Sequence, residues 1–326
     1  MAILFRIYAL GRLPGINGDE AWYGVQAQRW AAGEVTHWRT PTGNLPGPIQ
    51  LGWLLLLQTV FTPSFALLRV PAIISALGAM LLAYAIGRRF FDRTTATVAL
   101  LLMAALPANI AYARLGWDPS HIGLVILAAS YAALAGQRLL SALIFALALI
   151  VHPTSIFAAP FLSFVLFGRL MEQHDTAQAL RRVAGYIALL LGAILTLALT
   201  TSGGQATVSL AGFPGRLFNP LQWLAFAILF GRLLTGDTVY DYITGADFGD
   251  WQKLLDLLGM MVVFVGIIIG TRLRGKRLDR DAGVIIGWLA SLAIFFLIAG
   301  NGALQPHFER YAICLITPTV LALAVI

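Results

Sequence analysis

The chain has 326 residues, of which 59% are hydrophobic and only 11% charged, with a mean hydropathy of +0.81; soluble domains carry roughly 25% charged residues, so a soluble globular protein is excluded. The net charge of +7 comes mostly from Arg, and its densest cluster, Arg272, Arg274, Lys276, Arg277 and Arg280, has no stacking aromatics between its members, so it reads as a membrane-topology signal and not as a nucleic-acid surface. One cysteine, Cys314, lies in an apolar run, which rules out an intramolecular disulfide and any cysteine-based metal cluster.

From the N-terminus, an apolar segment from Ala2 to Leu10 ends at Gly11-Arg12-Leu13-Pro14-Gly15. It lacks the parts of a signal peptide and reads as the outer end of a span. Next comes Gly18-Asp19-Glu20-Ala21-Trp22-Tyr23, an acidic pair beside a membrane face in a chain poor in charge. A carboxylate in that place is a candidate for proton transfer or cation binding. The alternative is a solvated turn, or an Asp19 cap on a helix through Ala21 to Ala32.

Several apolar runs are long enough to cross a hydrocarbon core of roughly 30 Å, and candidate spans are predicted over Arg69–Arg89, Thr94–Tyr112, Pro119–Gly136, Leu139–Val151, Thr154–Gly168, Val183–Thr200, Leu254–Thr271, Gly283–Gly300 and Tyr311–Ile326. The stretches Pro48–Phe61 and Leu221–Leu234 are shorter and read as interfacial or re-entrant. No dyad alternation suggests a β-barrel. The expected fold is all-α: a polytopic transmembrane helical bundle with outer-face loops and interfacial or re-entrant helices. The whole of 1–326 reads as a single transmembrane domain, clipped from a longer protein at both termini.

With Asp19 outside, the loops alternate so that Arg88, Arg89, Arg93, Arg138, Arg169, Arg181, Arg182 and the Arg272–Arg280 cluster fall inside, as the positive-inside rule asks. Three polar clusters then share the outer face. The first is Asp19-Glu20. The second holds Arg114, Trp117, Asp118 and His121, which suits either a carboxylate with a phosphate-binding Arg or a boundary-anchoring Trp with a snorkelling Arg. The third holds His307, Glu309, Arg310 and Tyr311 ahead of the last span. His152-Pro153 marks a helix break that either lines the same cavity or seats a core histidine. The segment Gly236–Trp251, with Asp237, Tyr240, Asp241, Tyr242, Asp247 and Asp250, suits a sugar or a solvated loop equally, and its spacing is not that of an EF-hand. No phosphate-cradling glycine loop, dinucleotide fingerprint, zinc-hydrolase motif or nucleophile elbow is present, which argues against a nucleotide-sugar donor.

In order, Asp19-Glu20, Arg69-Val70-Pro71 opening a span closed by Gly87-Arg88-Arg89-Phe90-Phe91, Arg114 and Asp118, His152-Pro153-Thr154, and Arg310-Tyr311 with Pro318 cover nearly the whole chain. This series resembles the glycosyltransferase C superfamily, in its branch of dolichyl-phosphate-mannose protein mannosyltransferases and the lipid A aminoarabinose transferase. The resemblance implies an inverting glycosyltransferase using a polyprenyl-phosphate-linked sugar at the extracytoplasmic face, with undecaprenyl phosphate as the carrier in a bacterial inner membrane and an acceptor lipid, glycan or protein. It implies Asp19, Glu20 and Asp118 as catalytic candidates, and Arg114, His121, His152, His307, Arg310 and Tyr311 as substrate-binding candidates. A divalent metal is left open. The rival readings are a transporter or flippase of lipid-linked sugars, and a non-catalytic subunit of a glycan-assembly complex.

Overall fold

In the computed structural model, the structure describes residues 2–34, 39–40, 45–200, 217–237, 279–299 and 308–326, with isolated positions at 215, 254, 257, 261 and 268. All regular structure among them is helical. The helices are α1 (Ala2–Ile7), α2 (Gly18–Ala31), α3 (Pro48–Gln58), α4 (Phe65–Phe90), α5 (Arg93–Ala105), α6 (Pro107–Tyr112), α7 (Pro119–Leu134), α8 (Arg138–Val151), α9 (Ala159–Met171), α10 (Thr176–Thr200), α11 (Pro220–Thr235), α12 (Arg280–Ala299) and α13 (Ile316–Val325). Two 3₁₀ segments, Pro153–Ala158 and Phe308–Leu315, precede α9 and α13.

Four helical stretches, Phe65–Phe90, Pro153–Met171, Thr176–Leu199 and Arg280–Ile298, are long and apolar enough to cross a membrane. Their outer faces stay apolar, with Leu81, Leu191, Leu195 and Ile294 exposed, because lipid and not water is the solvent for that surface. The protein is an integral membrane protein with an all-α, polytopic architecture.

Most predicted spans reappear within a few residues, with two corrections: Tyr311–Ile326 runs as 3₁₀ helix through Leu315 and as α-helix only from Ile316, and a second run is broken outright. The expected run Thr94–Tyr112 is broken into α5 and α6, because Leu106 ahead of Pro107 is held extended (φ −61°, ψ 121°). The ring of a proline clashes with a helical residue before it, so the helix ends there. His152-Pro153 breaks α8 from the next 3₁₀ turn by the same means, with His152 at φ −157°, ψ 130°. Most of Leu254–Thr271, the basic cluster before Asp279, and Gly236–Trp251 beyond Asp237 lie outside the described residues.

The core packs Phe145, Phe161, Tyr186 and Trp288 between α8, α9, α10 and α12. Polar tips inside it are bonded: Trp288 Nε1 donates to Thr319 Oγ1 at 2.8 Å, and the hydroxyls of Ser141 and Tyr186 pair at 2.8 Å. α9 and α12 approach backbone to backbone where Gly168 faces Gly283; a Cβ on Gly283 would come within 3.1 Å of Gly168 Cα. At one end of this bundle Glu172 accepts from both Arg169 and Arg280 at 2.6 Å each, and Arg280 also reaches the carbonyl of Phe90. Arg69 sits near the opposite end of α4, about 30 Å away at 1.5 Å per helical residue. The acidic pair and the second polar cluster gather around that Arg69 end.

Candidate active site

α2 begins with a capping box. Asn17 Oδ1 accepts from the amide of Glu20 at 2.8 Å, and the Asn17 amide donates to Glu20 Oε2 at 3.3 Å. Asp19 is therefore not the cap of this helix. It lies in the exposed part of the first turn, while Glu20 beside it is fully buried. One step along a helix turns the side chain by about 100°, which separates the fates of two adjacent carboxylates.

Glu20 faces inward onto Arg69. The guanidinium grips it with both arms, Nε to Oε1 at 2.9 Å and Nη2 to Oε2 at 3.0 Å, and the Gly116 amide donates to Oε1 at 2.6 Å. Arg69 spends its other hydrogens on the carbonyls of Leu10, Leu13 and Gly15. A planar fork of five donors suits this task, since it ties α2, α4 and the Leu10–Gly15 segment with one side chain. Arg114 supports the same loop from another side, donating to Phe5, Tyr8 and Leu13 carbonyls at 2.6–2.7 Å. Burial, and then the charge of Arg69, pull its pKa below the usual arginine range.

Asp118 occupies the N-cap position of α7 without capping it. Asp is a favoured cap, so a side chain withheld from that role has been drawn elsewhere. Its Oδ2 accepts a short hydrogen bond from the hydroxyl of Tyr23, which in turn accepts from the Gly47 amide at 2.7 Å. Oδ1 is buried with no hydrogen-bond partner among the described residues. Burial pushes the Asp118 carboxyl up to about 7, against the opposing pull of the Tyr23 hydrogen bond and the nearby Gly47 amide, and the charge of Asp19 adds to the rise. Tyr23 is likewise pushed upward, by burial first and by Asp118 next. The structure thus brings Asp19, Tyr23 and Asp118 together, three groups able to hold or move a proton at one end of the bundle.

No family model and no curated protein matches the chain. Solved structures similar to it include two of ArnT from Cupriavidus metallidurans: one bound to undecaprenyl phosphate, at 14% identity, and one in the apo state, at 13%. Each alignment covers 99% of this chain and 75% of that one, with a TM-score of 0.44.

The remaining sequence candidates fall in different places. His121 is fully buried one turn into α7, with Nδ1 2.7 Å from Ser75 Oγ and Nε2 2.9 Å from Gln50 Oε1. Gln50 Nε2 donates to the Leu68 carbonyl at 2.8 Å, which orients the amide and makes its oxygen an acceptor; His121 must then donate from Nε2 and accept from Ser75. Both ring nitrogens are engaged in joining α3, α4 and α7. His152 pairs with Thr154 Oγ1 at 2.8 Å at its helix break. Tyr311 lies in the 3₁₀ segment before α13, partly exposed. His307 and the side chain of Arg310 lie outside the described residues.

Among the described residues no three His, Cys, Asp or Glu side chains gather as a metal site would. Asp19 and Asp118 alone do not make a metal centre. Sequence reasoning missed Tyr23 and Arg69 as site residues. The signal for Tyr23 was present, since it follows Asp19 by four positions and so shares its helix face. Arg69 appeared only as part of a span-opening motif.

Proposed function

We propose that the protein is an inverting glycosyltransferase that moves one sugar from a polyprenyl-phosphate carrier, undecaprenyl phosphate in a bacterial inner membrane, to an acceptor at the extracytoplasmic face. The observation that carries this reading is the pairing of an exposed carboxylate, Asp19, with a buried one of raised pKa, Asp118, at the membrane end opposite the Glu172–Arg280 network. Two carboxyl groups with environments that separate their pKa values can divide base and binding roles between them. The order of motifs along the chain supports the same reading, and the positive-inside rule assigns the basic end to the cytoplasm.

Asp19 takes the proton from the acceptor hydroxyl or amine as its heteroatom bonds to the anomeric carbon. The bond from that carbon to the phosphate oxygen breaks on the opposite face, and its electron pair leaves with the polyprenyl phosphate. Inversion at the anomeric carbon follows. Asp118 binds the sugar. The leaving phosphate gains negative charge, which Arg310, His307 and Arg114 stabilise. Glu20 shapes the loop through Arg69, and His121 holds α3 in place.

The test is to incubate the purified protein with a panel of polyprenyl-phosphate sugars and measure release of polyprenyl phosphate. Slow release with one member of the panel, lost in Asp19→Asn, is expected. Release from none of them, in a protein verified as folded, would overturn the transferase reading in favour of a flippase or a non-catalytic subunit.

A further inference from the structure

Tyr23 stands at the centre of the site with no role yet assigned to it. It is 2% exposed and joins three elements: its own helix α2, the N-cap of α3 at Gly47 and the N-cap of α7 at Asp118. The direction of each hydrogen bond is fixed by inventory. A backbone amide only donates, so the Gly47 N–H commits the phenol oxygen as acceptor, and the one hydroxyl hydrogen is left for Asp118 Oδ2. Oδ2 is thereby occupied. Oδ1 is the oxygen that remains, buried and without a partner among the described residues.

Gly47 completes the arrangement by what it lacks, because a Cβ at that position would overlap Asp118 Oδ1. The missing side chain leaves the carboxylate room to sit against the start of α3. Among the described residues, the other charged or titratable groups around Asp118 are Asp19 and Glu20 on α2, Arg69 on α4, Arg114 on the preceding loop and His121 on α7. Glu20 and Arg69 neutralise each other, both nitrogens of His121 are bonded, and Asp19 acts through its charge.

We propose that Tyr23 is a positioning residue for Asp118: clamped by the Gly47 amide, its hydroxyl holds Oδ2 and fixes the orientation in which the carboxylate serves the transfer. The inference rests on the transferase reading above and deepens it by naming what orients the carboxylate. An ionised carboxylate is acceptor-only, so the group it is oriented for is an O–H donor. A substrate lacking that donor would leave a buried acceptor unpaired and be rejected.

The experiment follows the Asp118 carboxyl directly by infrared spectroscopy of the purified full chain, with its band assigned by its loss in Asp118→Asn. In the wild type that band should titrate near pH 7. Tyr23→Phe removes one oxygen and with it a hydrogen bond to the charged form, so the titration should rise by about one unit, and the pH midpoint of sugar transfer should rise with it. An unmoved band in a protein that still transfers sugar overturns the proposal. A shifted band in a protein that transfers no sugar from any carrier on the panel sinks the transferase reading and leaves the Tyr23–Asp118 relationship standing. Where Tyr23→Phe does not fold, 3,5-difluorotyrosine at position 23 keeps the shape and strengthens the donor. The band should then move downward, and a fixed band would again count against the proposal.

Discussion

Arg69 and Glu20, 49 residues apart in sequence, form a two-armed ion pair that is at most 2% exposed. Removing one partner strands the other charge in a desolvated place, at a cost of about 3–5 kcal/mol for a buried pair. Glu20→Ala and Arg69→Ala should each lower the unfolding midpoint sharply. The double variant should lose much less than the sum, because both then remove the same interaction. Additive losses in a denaturation series would show that the pair does not act as a unit.

Asp19 stands outside the capping box and outside the ion pair. Asp19→Asn keeps size and fold but cannot accept a proton, so turnover should fall by about a hundredfold or more while expression and donor binding hold. Glu20→Gln should act mainly on stability. Full turnover in Asp19→Asn would remove Asp19 from the role of base.

The Asp118 carboxyl, raised from 3.8 to about 7, binds its proton more tightly in the folded protein than in the unfolded chain. Between about pH 4 and pH 7 the native state holds the extra proton, so this group's contribution to stability declines as pH rises through that window and is level above it. Thermal unfolding of wild type and Asp118→Asn across pH 5–8 should converge at the acidic end and separate towards neutrality, with the variant favoured. Sugar transfer that depends on ionised Asp118 should increase over the same range.

Gly47→Ala places a methyl group where Asp118 Oδ1 lies. Moving a reacting or orienting group by about 1 Å can cost roughly a hundredfold in rate, so kcat should fall far more than the unfolding midpoint. Equal activity would mean the carboxylate is free to move aside.

The two ends of α4 should face opposite sides of the membrane. Cys314 is buried, so single cysteines introduced as Ile16→Cys and Gln137→Cys can be labelled against a low background. An impermeant reagent should reach Ile16→Cys from outside and Gln137→Cys only after permeabilisation. Labelling of both from one side would dissolve the single-face arrangement of the site.

Residue order alone determined the membrane embedding, the helices and which loops share an end. Chain length per turn, apolar runs and the sidedness of Arg residues are local or additive properties, so they can be counted along the chain. Even the Pro107 break was readable, although the apolar run through it suggested one continuous span. Tertiary structure decided which acidic residue does what. Asp19 and Glu20 are neighbours of nearly the same chemistry, and only the arrival of Arg69 and of the Gly116 amide, 96 residues on, buries one and leaves the other exposed. Tyr23 and Asp118 meet across 95 residues because α2, α3 and α7 converge, and the hydrogen bonds that orient a carboxylate depend on that convergence and not on spacing in the chain.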